Sequence, residues 1–137
     1  MIQRVQSIYL LLAALAAILF LFIPFGTITY NNETMILKGE MNLLIIISCI
    51  FLALISIAAI FLFRNRTLQM RVVLVNGILS VLFIGFITYG VTLHAINDAF
   101  RPQPGIIFPL FVMLFNFLAH RSIKHDEILV RSMDRLR

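Results

Sequence analysis

The sequence predicts an all-α membrane protein with four transmembrane helices, and three observations lead to this fold class. Hydrophobic residues make up 61% of the 137 residues and charged residues only 12%, whereas soluble domains average about 45–50% apolar and about 25% charged residues. Four apolar runs approach the roughly 20 residues that a helix needs to cross a bilayer core of about 30 Å. The basic residues cluster at the ends of these runs. We therefore expect one integral membrane domain over residues 1–137.

The first three runs are long enough to span a bilayer. Residues 8–25 follow a basic N-terminus, as in a signal peptide, but the run is longer than an ordinary signal-peptide core and its alanines lie mid-run, away from a cleavage boundary. We interpret it as a retained helix. The second and third spans, residues 41–63 and 72–94, contain no Asp, Glu, Lys or Arg.

The fourth run, residues 106–119, is the shortest, at about 21 Å if helical. Pro104 and Gly105 can start this helix, and Pro109 falls in or near its first turn, where a missing N–H does little harm. At the other end Arg121 and Lys124 can extend their charges to the interface, which lengthens the usable span. Four spans place both termini on one side.

The distribution of basic residues predicts which side that is. Two of them, Lys38 and Arg101, lie in the loops between spans 1 and 2 and between spans 3 and 4. The other nine lie in the N-terminus, the 64–71 loop and the tail: Arg4, Arg64, Arg66, Arg71, Arg121, Lys124, Arg131, Arg135 and Arg137. Because cytoplasmic segments carry the excess of positive charge, both termini are predicted to be cytoplasmic.

The two outer loops differ in predicted structure. In the first, the strand-like runs TITY and TMIL flank Asn31 and Asn32, and asparagine tolerates the backbone conformations of tight turns. This pattern predicts a small outer hairpin between helices 1 and 2. The second loop, NDAFRPQPG, is interpreted as a tight turn stiffened by its prolines.

The titratable residues are poorly placed for chemistry within the membrane. All six acidic residues fall in loops or in the tail, and a proton-coupled carrier would ordinarily need a buried carboxylate. The single cysteine, Cys49, excludes a disulfide or a CxxC pair within the chain. His94 and His120 close spans at opposite ends, so they cannot share a metal or haem. We expect no catalytic residue, metal or cofactor, and hence no enzyme.

The net charge of +5 does not indicate a nucleic-acid partner. The basic residues sit in short clusters at the ends of apolar runs, where anionic lipid headgroups are the nearer partner. Membrane lipids are therefore the predicted partners of these charges, and no nucleic acid is expected.

Polar residues within the spans predict contacts between helices. Span 3 enters from the cytoplasm and span 4 returns to it, which places Asn76 about 6 Å and Asn116 about 5 Å from the inner ends of their spans. The same calculation sets Ser56 level with Ser80. We expect the two asparagines to hydrogen-bond across helices 3 and 4, and a polar pore or pocket lined by these groups is the alternative interpretation.

The tail, residues 120–137, lacks Gly and Pro, so the fourth helix can continue into the cytoplasm as an amphipathic extension. On a helical wheel Leu129, Met133 and Leu136 fall within a narrow apolar arc, and Asp126 and Arg137 intrude toward it. The candidate interaction residues combine that arc with arginines of the opposite face: Leu129, Arg131, Met133, Arg135 and Leu136. The pattern suits docking on anionic lipid or in a protein groove, and the simpler interpretation is a solvated helix end that sets topology.

Three stretches carry a resemblance to a known family. MIQRVQSIYLLLAA at the N-terminus, FRNRTLQMR after span 2 and KHDEILVRSMDRLR at the C-terminus resemble a family of short, four-helix membrane proteins of unknown function found in Bacteroidota. The resemblance covers essentially the whole chain. It implies an inner-membrane location and four spans, and no activity, cofactor or catalytic residue.

Two functional hypotheses follow. The first is a non-enzymatic accessory or scaffolding subunit whose basic cytoplasmic tail contacts a protein partner or anionic lipid. The second is a small transporter or channel that works as a homo-oligomer, which requires a polar path to mid-membrane between helices or subunits.

Overall fold

Four long helices dominate the computed structural model, which describes the backbone of residues 3–30, 33–97 and 99–134 and the side chains of residues 5–29, 33–93 and 100–129. The helices are α1 (Gln3–Phe22), α2 (Leu43–Phe61), α3 (Arg66–Asn97) and α4 (Phe108–Asp134). Each contains or extends into a candidate membrane span: Val5–Phe22, Leu43–Arg64, Arg66–Leu93 and Pro104–Leu129. The chain is therefore a multi-pass membrane protein.

The outer surface of the helices is apolar. Between 28% and 39% of the apolar window of each span is buried inside the protein, so most of each window is partly or fully exposed. The outward side chains include large ones such as Leu11, Leu82 and Phe117. A continuous apolar exterior of this kind is stable in hydrocarbon and would aggregate in water.

Local sequence sets the ends of α1 and α2. Helix α1 ends at Phe22, before Pro24, because the residue preceding a proline is disfavoured in helical conformation. Residues 23–25 of the predicted first span therefore lie beyond the helix, and Phe25 donates its N–H to Leu37 O at 3.0 Å. Helix α2 begins after Asn42, whose Oδ1 accepts the N–H of Leu44 at 2.9 Å as an N-cap.

The loop predicted at residues 64–71 is mostly helical. A single 3-10 turn, Leu62–Arg64, and Asn65 connect α2 to α3, and α3 begins at Arg66. The N–H of Gln69 already donates to Asn65 O at 2.9 Å. Charged residues end an apolar run but not a helix, and no Gly or Pro interrupts this stretch, so the helix starts before the apolar span does.

Three short strands form a sheet at one end of the bundle, in the order β2-β1-β3. Strands β1 (Gly26–Tyr30) and β2 (Glu33–Leu37) pair antiparallel with Tyr30 opposite Glu33, so the predicted hairpin forms. Its expected turn residues, Asn31 and Asn32, lie outside the described residues.

The third strand corrects the prediction of a tight turn in the second loop. Residues Ala99–Pro102 form β3, which pairs antiparallel with β1 from Thr29↔Ala99 to Gly26↔Pro102. Pro102 cannot donate to the ladder and is tolerated because it ends an edge strand. A strand this short depends on its partner, which lies about 70 residues away in the sequence, and local sequence does not reveal the pairing.

Helix α4 is longer than the predicted fourth span. A 3-10 turn, Pro104–Ile107, leads into α4 at Phe108, and Pro109 occupies the second helical position, where it costs no hydrogen bond. The helix then continues without a break through Ala119 to Asp134.

The helices alternate in direction and bury two apolar clusters. The larger cluster adjoins the sheet, at what we call the sheet end: Ala14, Ala16, Ala17, Phe20, Phe25, Ile45, Cys49, Leu52, Ala53, Phe83, Ile87 and Val112. The smaller cluster lies at the opposite, basic end, beside the turn between α2 and α3: Leu10, Ala59, Val73, Ala119 and Ile123. The start of α1 and the last turns of α4 share the basic end.

Helix α1 lies in closest association with α4 and α2. Its Ala13 and Ala17 are fully buried, and their small side chains allow the neighbouring backbones to approach. At the sheet end the ring of Phe20 packs on Phe25 and Phe83, with ring centroids 5.4 and 5.7 Å apart. These contacts connect α1 to both the sheet and α3.

Gly105 joins the second loop to the end of α1, and its replacement by alanine is expected to destabilise the protein. Its N–H donates to Pro24 O at 3.0 Å, and an added Cβ would lie 2.7 Å from Ile23 O. We expect Gly105→Ala to lower the stability by about 1–3 kcal/mol, as overpacking typically does, measured by thermal unfolding in detergent.

The matched control is Gly85→Ala on α3, where an added Cβ would meet nothing within 4 Å. There alanine should leave the melting temperature unchanged or raise it, because alanine favours a helix by about 1 kcal/mol over glycine. A Gly105→Ala protein that melts at or above the wild-type temperature would contradict the described approach of the two backbones.

Candidate functional site

A layer of polar side chains crosses the bundle between the two apolar clusters. This polar layer consists of Ser56, Asn76, Ser80 and Asn116, each no more than 1% exposed. The structure brings Asn76 and Asn116 together: Asn76 Nδ2 donates to Asn116 Oδ1 at 3.1 Å. The same amide nitrogen donates to Ser56 Oγ at 2.8 Å. One side chain of α3 therefore connects α3 to both α2 and α4.

The remaining donors of the layer bond to helix carbonyls. Asn116 Nδ2 donates to Val112 O at 2.9 Å, and Ser56 Oγ donates to Leu52 O at 3.0 Å. Ser80 does not join Ser56, because its hydroxyl donates to Gly77 O within α3 at 2.7 Å. Asn76 Oδ1 has no partner among the described residues. The amides and hydroxyls of the polar layer are therefore enclosed within the bundle and hydrogen-bonded to one another or to helix carbonyls.

A second polar site lies at the basic end and was missed from the sequence. Asp126 is 5% exposed on α4, and its Oδ2 accepts a hydrogen bond from Gln6 Nε2 on α1. Arg66 Nη1, from the first turn of α3, donates to the backbone carbonyl of Asp126 at 3.4 Å. These three residues form what we call the carboxylate cluster, which joins α1, α3 and α4.

The carboxylate of Asp126 is incompletely paired. Its Oδ1 is buried and has no hydrogen-bond partner among the described residues. The described residues also give it no ion pair, since Arg66 reaches its backbone and not its side chain. Burial of a carboxylate with one neutral partner is costly, so this group is the most conspicuous feature of the basic end.

The sequence contained one signal for this cluster. Asp126 belongs to the acidic residues that we expected in loops or tail, outside any buried site, although it intrudes toward the apolar arc of the helical wheel. The structure explains the intrusion, because the side chain of Asp126 faces α1 and meets Gln6 there. Gln6 carries no comparable signal, since it precedes the apolar run and reads as a polar flank.

An open groove between α1 and α4 leads to the carboxylate cluster. Its volume is about 410 Å³. Its lining combines apolar, cationic, hydroxyl and acidic side chains: Val5, Tyr9, Leu118, Arg121, Ser122, His125 and Asp126. The groove can therefore contact both an apolar chain and charged groups of either sign.

Two further cavities, of about 250 and 220 Å³, lie between α2 and α3. One is at the sheet end and includes Lys38 and Asn42, and the other lies deeper and includes Ser48. The rest of their linings is apolar apart from Gly90, and neither lining includes a residue of the polar layer. Neither cavity opens onto the buried amides.

The candidate interaction residues of the tail are only partly described. Leu129 lies on α4 and is 40% exposed. Arg131 and Met133 belong to α4 by their backbone, and their side chains lie outside the description. Arg135 and Leu136 lie outside the described residues.

The potential metal ligands and the single cysteine are dispersed in the described part of the chain. No group of three or more His, Cys, Asp or Glu residues there is placed to hold a metal ion. Cys49 is a buried free thiol within the larger apolar cluster. Its surroundings are those of a packing residue.

A double-mutant cycle tests the contact between Asn76 and Asn116. We expect Asn76→Ala and Asn116→Ala to be non-additive, with a coupling of about 0.6–2 kcal/mol, because each single change already removes the shared hydrogen bond. The measurement is the free energy of unfolding in mixed detergent micelles.

The control cycle pairs Asn116→Ala with Thr88→Ala. Thr88 is an exposed residue of α3 whose hydroxyl bonds only to its own helix, at Ile84 O. Its effect should add to that of Asn116→Ala. Additivity in the Asn76 cycle as well would show that the hydrogen bond contributes nothing to stability.

Comparison with known proteins gives a family and no activity. The family model described as "Domain of unknown function (DUF4293)" matches residues 2–136. No curated protein and no solved structure matches the chain. Since the match covers nearly every residue, the chain belongs to the DUF4293 family.

Proposed function

We propose that this protein is a non-enzymatic accessory or scaffolding subunit of the bacterial inner membrane, which uses the end of α4 to dock on a protein partner. The observation that carries the proposal is the length of α4. The helix continues past Lys124, and beyond that charge it exposes Ile128 and Leu129 by 59% and 40%. Apolar side chains at this position exceed what a topology signal requires.

Charge supports a cytoplasmic position for this segment. Among the residues with described side chains, the basic end carries Arg64, Arg66, Arg71, Arg121 and Lys124, whereas the sheet end carries Lys38 and Arg101. By the positive-inside rule this distribution supports a cytoplasmic location for the basic end and for both termini. A partner would accordingly be a cytoplasmic protein or the cytoplasmic part of a membrane protein.

The choice of a protein partner over anionic lipid rests on the exposed apolar pair. A helix with apolar residues on one side suits a groove in a partner, and α4 leaves the bundle as a preformed helix, which lowers the entropy cost of binding. Anionic lipid would instead use the arginines of the tail.

The alternative function is a small oligomeric transporter or channel. Its support is the polar layer, where the unpartnered Asn76 Oδ1 could accept a hydrogen bond from a passing solute. Against it, the side chains of the layer are at most 1% exposed, and the two cavities between α2 and α3 do not reach them. Transport would require the helices to separate.

Site-specific photo-crosslinking tests the docking proposal in living cells. A photoreactive amino acid at Ile128 should give a discrete protein adduct, because this exposed position lies on the proposed docking segment. The control position is Leu114, which is 49% exposed on the same helix but lies within the span and faces lipid. Only lipid adducts at both positions would overturn the proposal.

Paired substitutions show whether the apolar or the basic face of the tail makes the contact with the partner. Leu129→Gln together with Met133→Gln should abolish the protein adduct, whereas Arg131→Gln together with Arg135→Gln should leave it. The reverse outcome would assign the segment to anionic lipid. A truncated protein that ends at Glu127 keeps the carboxylate cluster intact but lacks the docking residues. A photoreactive amino acid at Lys124 of this truncated protein should therefore give no protein adduct.

A further inference from the structure

The groove between α1 and α4 combines features that together select one class of ligand. Its lining includes Asp126, whose buried Oδ1 has no hydrogen-bond partner among the described residues, and two groups that bind anions, Arg121 and His125. Two hydroxyls, those of Tyr9 and Ser122, add hydrogen-bonding capacity, and Val5 and Leu118 supply an apolar wall.

The carboxylate calls for a cation that the described residues do not provide. Asp126 is only 5% exposed, and Gln6 donates a hydrogen bond to Oδ2 but not to Oδ1. The guanidinium of Arg66 donates to the backbone carbonyl of Asp126 and not to its carboxylate. A primary ammonium has three donors and a positive charge, so it can bond to Oδ1 and neutralise the carboxylate at once.

The anion-binding side chains of the groove, Arg121 and His125, would bind a negatively charged group close to that ammonium. Arg121 and His125 are four residues apart on α4, so they lie on one face about 6 Å apart along the helix. Ser122 and Asp126 have the same spacing on the adjoining face of α4. Arginine binds phosphate well, and a histidine N–H adds a further donor. A phosphate joined to an ammonium by a short bridge would contact both faces.

The position of the groove selects a lipid over a soluble compound. It lies where α4 passes from the apolar residues around Leu118 to the charged residues Arg121 and Lys124, which is the depth of the headgroups. It also opens between two helices whose exteriors are apolar, so an acyl chain can follow the helix surface from Val5 and Leu118 into the membrane.

We propose that the groove between α1 and α4 binds one molecule of phosphatidylethanolamine, with its ammonium on Asp126 and its phosphate on Arg121 and His125. Phosphatidylglycerol has hydroxyls that can donate to Asp126 Oδ1 but no positive charge, so its phosphate would add a negative charge beside the carboxylate without neutralising it. Phosphatidylcholine has no N–H donor for that oxygen. On α4 the site extends no further than Asp126, whereas the proposed docking residues begin at Ile128, so either proposal can fail without the other.

Native mass spectrometry of the full-length protein, released from detergent micelles and titrated with dioleoyl lipids, tests the proposal. We expect one phosphatidylethanolamine to remain bound in preference to phosphatidylglycerol and phosphatidylcholine. Asp126→Asn keeps the size and the Gln6 contact but removes the charge, and it should weaken binding about tenfold or more. The control Glu127→Gln removes a negative charge outside the groove lining and should bind as the wild type does.

A second variant keeps the test informative if Asp126→Asn disturbs the fold, which circular dichroism would reveal. Arg121 is exposed, so the Arg121→Gln protein should fold normally and still lose affinity for phosphatidylethanolamine. The control Lys124→Gln should keep the affinity of the wild type. Equal binding of phosphatidylglycerol and phosphatidylethanolamine would overturn the proposal. So would unchanged binding by Asp126→Asn, which would mean that the carboxyl group needs no cation.

Soluble glycerophosphoethanolamine distinguishes the lipid from a free headgroup compound. It carries the same ammonium and phosphate but lacks acyl chains, so it should not displace the lipid at an equal concentration. Displacement at an equal concentration would overturn the assignment to a lipid.

Discussion

The hydrogen bonds of the Asn76 amide determine how the three helices α2, α3 and α4 fit together. A bilayer interior offers no water to a polar group, so an amide at this depth must find its partners within the protein. Asn76 finds them on both neighbours, at Ser56 and Asn116. A shift of any of these helices by one turn, about 5.4 Å, would break at least one of these bonds. Apolar contacts are not directional, whereas these hydrogen bonds require the three helices to be aligned at one depth.

The two ends of the bundle are held by different means. At the sheet end, backbone hydrogen bonds join the segment after α1 to the segment after α3, and Phe20 packs across the junction. At the basic end, side-chain hydrogen bonds connect the helices: Gln6 donates to Asp126, and Gln69 Nε2 donates to Ala59 O at 3.0 Å across the turn between α2 and α3. Side-chain contacts can be exchanged for contacts with a ligand more easily than a backbone ladder can, which suits the basic end for binding.

The sequence predicted those parts of the structure that depend on composition and on distance along a helix. Apolar runs located four spans, and the rise per residue placed Asn76 and Asn116 at one depth. It could not predict β3, because Ala99–Pro102 becomes a strand only beside β1. It also missed the pairing of Gln6 with Asp126, which lie 120 residues apart and meet only through the rotation of α1 and α4 about their axes. The helix start at Arg66 was missed for a simpler reason, since hydropathy marks where a membrane begins and not where a helix does.

The sheet has a consequence for membrane topology that is independent of charge. Strand β1 precedes α2 and β3 follows α3, and their backbones are hydrogen-bonded to each other. Two strands of one ladder must lie on the same side of a bilayer, so the number of crossings between them is even. This parity requires α2 and α3 either both to cross or both to stay out. It also sets an order of events, because β3 can reach its partner only after α3 has returned through the membrane, and closure of the sheet therefore marks the completed insertion of the central helix pair.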